Sequence, residues 1–154
     1  MSSDDAFRYR LWAAVESLRY WAPTITDVAR VESSETAATW TMAIRPLVEH
    51  ACPLDLTLKA TQLFDLTIAG EVYDNRSIAS LDHILPLIER ITGGHVIQRR
   101  WVSAATGAVR TVETLVTLAD GTVWQDGRTA GPVASVIAKE ETERHDRHFL
   151  PYRR

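Results

Sequence analysis

Glu141, His145 and His148 carry the spacing with the most chemical content in this chain. They lie four and three residues apart, so a continuous helix would set all three on one face. Two imidazoles and a carboxylate suit zinc or ferrous iron. The same run, Glu-Glu-Thr-Glu-Arg-His-Asp-Arg-His, also reads as a solvated charged tail with an ordinary i,i+4 pair in it.

The other reactive groups have thinner company. Cys52 follows His50 and precedes Pro53, so a thiolate paired with an imidazole is conceivable; a lone cysteine near a strand also packs as a small apolar residue. His83 follows Asp82 at the head of a helix, where it caps, is solvated, or acts as a general base. His95 stands at the entrance to a strand with no identifiable partner. Asp65 and Glu71 point outward on one strand, about 20 Å apart along an extended chain, too far for an acid–base pair. Gly93-Gly94 ends a helix, whereas a phosphate cradle begins one. Gly127 to Gly131, holding Arg128, precedes Pro132 and reads as a loop and helix start or as an anion seat. No motif names a substrate, a cofactor or a reaction, and no cofactor is expected.

These groups meet only if the elements carrying them are correctly placed. Residues 4–21 read as a helix, with Phe7, Leu11, Val15 and Leu18 at helical spacing. Ser2 with Asp5 resembles a capping box, and Pro23 ends the helix. Residues 26–33 read as a strand. Thr39 to Arg45 is a clearer one, since Trp40, Met42 and Ile44 alternate with polar residues until Pro46. Residues 47–53 are a connection. From Leu54 to Val72 the even positions are apolar (Leu54, Leu56, Leu58, Phe64, Leu66, Ile68, Val72) and the odd ones polar (Asp55, Thr57, Lys59, Asp65, Thr67, Glu71). A two-residue hairpin would switch this parity, so a bend or an odd-length loop is expected near 59–62. No Gly, Pro, Asn or Asp marks the place, which favours a bent strand. Asp74-Asn75 reads as a turn. A helix follows at 82–92 with Ile84, Leu85, Ile88 and Ile91 inward, stopped by Gly93-Gly94.

Turn chemistry sets the next elements as a three-stranded meander. Asp120-Gly121 suits a tight two-residue hairpin, and Thr106-Gly107 is a weaker candidate for another. Two-residue loops would pair Leu118 with Val123, Thr117 with Trp124, Trp101 with Val112, Ile97 with Val116 and Arg100 with Glu113. The face carrying Ile97, Trp101, Val112, Val116, Leu118 and Val123 would then look into the core. Pro132 opens a last helix with Val133, Val136 and Ile137 apolar, and a charged tail runs from about residue 140.

The expected fold is α+β: a single antiparallel, strongly bent sheet of about six strands, with N-terminal, central and C-terminal helices packed on it in one domain over residues 1–154. Leu11, Val15, Leu18, Trp40, Ile44, Leu66, Ile68, Ile88 and Val116 are its expected core. The order of elements loosely resembles that of class I type III secretion chaperones, which are small, dimeric and bind an unfolded partner segment. The resemblance is one of topology, with no shared motif.

Composition narrows the function classes. A chain of 154 residues with 45% hydrophobic and 24% charged content is ordinary for a soluble domain and long enough for a core without staples. It has no apolar run of the ~20 residues a membrane span needs. The acidic start, Met1-Ser2-Ser3-Asp4-Asp5, is unlike a secretory signal, and Cys52 is the only cysteine; together these favour the cytoplasm. A net charge of −3 argues against general nucleic-acid binding. Arginine greatly outnumbers lysine, as in GC-rich bacterial genomes.

Five tryptophans are many for this length. The expected register places Trp124 on the sheet face opposite to that of Trp101, and Tyr9, Trp12 and Tyr20 lie off the buried stripe of helix 4–21. Such rings mark a partner surface, so the first reading is a non-enzymatic oligomeric or partner-binding protein, a homodimer or adaptor, that uses Tyr9, Trp12, Tyr20 and Trp124. The alternative is a small-molecule enzyme or carrier with a pocket between the curved sheet and its helices. It would suit the many threonines and an inward Gln62, and it requires a deep polar pocket with His83, His95 or aspartates buried in it.

Overall fold

The computed structural model describes residues 3–61, 63–77, 81–129 and 141–153. Helix α1 spans Ser3–Trp21 and passes into a 3₁₀ turn, Ala22–Ile25, with Pro23 at its start. Strands β1 (Ala29–Glu35), β2 (Thr39–Pro46), β3 (Leu54–Lys59), β4 (Leu63–Ile68) and β5 (Glu71–Ser77) form an antiparallel meander, each paired with the next. Helix α2 (Ile84–Thr92) separates it from a second antiparallel sheet of β6 (Val96–Ser103), β7 (Val109–Thr117), β8 (Val123–Thr129) and β9 (Thr142–His148), in the order β8-β7-β6-β9.

The α+β class and the antiparallel pairing are as expected; the single bent sheet under three helices is not. Two sheets are present, and two α-helices lie among the described residues. The helix expected from Pro132, and Gln62, lie outside the described residues. Where that helix was to continue, Thr142–His148 is instead the edge strand β9, paired with β6 from Ile97↔His148 to Ser103↔Thr142.

The even-numbered stretch from Leu54 is not one bent strand. Leu58 pairs with Phe64, so β3 and β4 form a hairpin across an odd, three-residue loop, which keeps the inward parity. At its far end Ala69 (φ 48°) and Gly70 (φ 89°) make a two-residue turn, both at the positive φ such a turn requires. This turn switches the parity. Glu71 and Tyr73 are therefore buried, and Val72, expected inside, is exposed. Asp74-Asn75 is a bulge within β5 and not a turn. Phe64 pairs with Arg76 while Leu66 pairs with Tyr73, with Asn75 at φ 54°. Lys59 and Asp65 hold the bulge: Lys59 Nζ donates to Asn75 Oδ1 at 2.7 Å, and Asn75 N–H donates to Asp65 Oδ1 at 2.8 Å.

Both hairpins of the meander slip by one residue from the expected register. Thr117 pairs with Val123 and Val116 with Trp124; Arg100 pairs with Val112, Arg99 with Glu113 and Ile97 with Leu115. The loops are longer than two residues. Gly121 (φ 88°) follows a turn in which its N–H donates to Leu118 O, while Asp120 Oδ1 accepts from the backbone and hydroxyl of Thr122. This is the three-residue loop with a left-handed glycine. Gly107 (φ 76°) closes a four-residue loop, with Ser103 N–H donating to Ala108 O. The slip turns β6 over. Val96 and Gln98 are buried, whereas Ile97 and Trp101 lie half-buried on the other face.

Helices and sheets share one buried cluster. Phe7, Val15 and Leu18 of α1 and Ile84, Leu87, Ile88 and Ile91 of α2 join Trp40, Met42, Ile44, Leu54, Leu56, Leu58, Leu66 and Ile68 of the first sheet. Of the expected core residues, Leu11 alone is half-buried against this cluster; the others are buried. The second sheet meets β4 and β5 through polar groups. Gln98 Nε2 donates to Ile68 O at 2.8 Å, Tyr73 and Thr114 hydroxyls are 2.5 Å apart, and Arg76 Nε meets Asp126 Oδ2 at 2.6 Å.

A strap after β9 ties three distant segments together. Phe149 and Tyr152 are buried. Leu150 N–H donates to His50 O and Tyr152 N–H to Thr92 O, both at 2.9 Å. The Tyr152 hydroxyl donates to Cys52 O. Arg153 grips both Asp27 oxygens at 2.7 Å. The strap crosses so close to the end of α2 that a Cβ on Gly94 would stand 2.8 Å from Pro151 N.

Candidate partner interface

The residues proposed for metal binding are not brought together. Glu141 is exposed ahead of β9, its carbonyl accepting from Ala104 N–H at 3.0 Å. His145 pairs across from Arg100 and His148 across from Ile97. A strand alternates its side chains, so positions 145 and 148 point to opposite faces. The helical spacing that made them a triad does not apply. No group of three His, Cys, Asp or Glu able to hold a metal occurs among the described residues.

Cys52 is fully buried, and burial pushes its thiol up to about 12, with the Arg147 charge a weak opposing influence. His50 is exposed, with φ 66°, and its ring lies 3.8 Å from Glu49. The thiolate pair is therefore replaced by a neutral, packed cysteine. Its effect on stability has a definite sign. The folded value lies above the ordinary 9.0, so the stabilisation from keeping the thiol neutral is complete below 9.0 and is lost as pH rises from there toward about 12. Denaturant melts stepped across that window should show stability falling as pH rises. The Cys52→Ala variant should show a shallower decline.

Asp65 pairs with Lys59 at 3.0 Å, and Glu71 is turned to the other face and buried. His83 and His95 are both exposed. Gly127 serves packing: a Cβ there would meet Val112 O at 2.9 Å, so glycine lets β8 approach β7. Trp124, expected outside, shares the inner face with Val116 and meets Tyr73 edge-on, with ring centroids 6.0 Å apart at 79°. The one-residue slip of the hairpin is the cause.

Three of the four proposed contact residues remain on the surface. Tyr9 is 77% exposed, Trp12 49% and Tyr20 88%. At 100° per residue, Tyr9, Glu16 and Tyr20 lie opposite Leu11 and Leu18, with Trp12 flanking them. Helix α1 thus has an apolar stripe on the core and an aromatic stripe facing away from it. Beside Trp12 the surface sinks into a groove of about 220 Å³ between α1 and the β1–β2 turn, with Arg8, Leu11, Glu35, Thr39 and Trp40 among its lining residues.

The groove has firm walls. Thr36 Oγ1 accepts from the N–H of Thr39 at 3.1 Å and of Ala38 at 3.3 Å, closing the β1–β2 turn. Arg19 bridges Glu16 at 2.8 Å on its own helix and Glu35 at 2.7 Å on β1, tying α1 to the sheet edge. These wall residues escaped the sequence reading. The Thr36-to-Thr39 spacing signals such a side-chain-capped turn; the Arg19–Glu35 link spans 16 residues and has no local signature.

Further grooves lie between α1 and α2 (about 260 Å³, with Ala13, Ser17 and Leu85) and under the C-terminal end of α1 (about 210 Å³, with Leu18, Val31 and Met42). No helix among the described residues is long and apolar enough to cross a membrane. Compared with known proteins, the chain matches no family model, no curated protein and no solved structure.

Proposed function

We propose that this chain is a non-enzymatic partner-binding protein, and that the outward face of α1 with its adjoining groove is the recognition surface. The observation that carries this reading is the exposure of Tyr9, Trp12 and Tyr20 on a helix already anchored by its opposite face. Tyrosine and tryptophan are the residues most enriched at binding hot spots. Aromatic area of this kind, held on a rigid element, loses little conformational entropy on association. The enzyme or carrier reading draws less support. The three grooves around α1 fall below the roughly 300–1,000 Å³ of small-molecule sites, and His83 and His95, the candidate bases, are solvated.

Site-specific photo-crosslinking tests the proposal. A benzophenone side chain placed at position 9 or 20 in the native cells should give defined protein adducts. The same probe at Val72, exposed on the outer face of the first sheet, should give few. Equal labelling at all three positions, or no adduct from positions 9 and 20, overturns it.

A further inference from the structure

We infer that the occupant of this surface is a second copy of the chain, laid antiparallel along α1; the inference rests on the preceding reading. The spacing of the outward stripe is its own complement. Positions 9, 13, 16 and 20 are separated by four, three and four residues, so the stripe has the same spacing read from either end. A two-fold axis between residues 14 and 15 places Tyr9 level with Tyr20 of the second copy, and Tyr20 level with its Tyr9. The two rings of one helix are about 16.5 Å apart along its axis, so two tyrosine pairs bracket the contact. The centre carries Ala13, small enough to let the helices approach.

Charge opposes this pairing only weakly. Glu16, the acidic residue in the middle of the stripe, is paired with Arg19, a cation it shares with Glu35. A strongly charged partner would find little complementary charge on this stripe, whereas a second copy meets a surface as aromatic and as nearly neutral as itself. Area comes close to what is needed. Scaled by their exposure, the six rings supply about 640–1,070 Å², most of the roughly 1,200 Å² at which standard interfaces begin. Isologous two-fold contacts of this kind are the commonest form of self-association.

Light scattering and directed disulfides test the pairing. The wild type should run at twice the chain mass, and Tyr20→Arg at the monomer mass with unchanged circular dichroism, since that side chain lies outside the core. Oxidation of the Tyr9→Cys/Tyr20→Cys double variant should link chains into dimers; either single variant should link far less, because like positions stand apart in an antiparallel pair. Cys52 is buried and does not compete. A monomeric wild type overturns the inference, and so does equal crosslinking of the single variants. If the wild type is monomeric while positions 9 and 20 still photo-crosslink to a different protein, the pairing fails and the recognition surface stands. If neither dimer nor adduct forms, both fail.

Discussion

Truncating Tyr152 to alanine is expected to remove about 3–5 kcal/mol of stability, the range for deleting a buried aromatic ring. The side chain is 2% exposed, and it anchors the strap at two points. Its N–H holds Thr92 O at the end of α2, and its hydroxyl holds the carbonyl of Cys52 in the β2–β3 connection. The backbone bond survives truncation; the ring and hydroxyl contacts do not. Tyr152→Phe separates those two losses. It keeps the packing but leaves a buried carbonyl without its donor, at about 1–3 kcal/mol. Urea melts of the three proteins decide the matter. A Tyr152→Ala loss no greater than that of Tyr152→Phe would show that the ring is not packed as described.

Leu66→Ala should cost about 2–5 kcal/mol through lost burial and the cavity left behind. Leu66 is fully buried at the centre of β4, between Leu56 on β3 and Tyr73 on β5. Its neighbours are held in a five-stranded ladder and cannot readily collapse into the space, so the upper half of the range is expected. A change below about 0.5 kcal/mol would place Leu66 among surface positions.

Much of this architecture is legible locally, and the misreadings have a common physical origin. The stripe of Phe7, Leu11, Val15 and Leu18, the stop at Gly93-Gly94 and the alternation from Thr39 to Arg45 are short-range signals, and each names its element. The register of the second sheet is not legible locally, because its inner face is not apolar throughout. Gln98 and Thr114 are fully buried while Ile97 and Trp101 are not, so a register chosen to bring apolar residues together lands one residue away. Loop length had the same effect: Asp120-Gly121 marked the place of a turn correctly, but a glycine at φ 88° serves a three-residue loop as well as a two-residue one. At Ala69-Gly70 the error ran the other way, because alanine gives no warning of a positive φ. In the candidate interface, Tyr9, Trp12 and Tyr20 were legible because helical geometry alone sets them off the core. Trp124 was lost with the register, and the metal triad with the helix that was to carry it.

The strap also bears on the order in which the molecule assembles. Strands β1 to β5 pair only with sequence neighbours, so the first sheet closes through short loops whose entropic cost is small. The hydrogen bonds of Tyr152 to Cys52, and of Arg153 to Asp27 and Thr24, span 100, 126 and 129 residues. Contacts of that reach are expected to form after the sheet is in place and to add little to the barrier for folding. They act on the return journey: an interaction absent from the transition state slows unfolding without hastening folding. Loosening the segment from Phe149 to Arg153 should therefore shorten the life of the native state, while changes in the hairpins of the first sheet should alter how quickly it is reached.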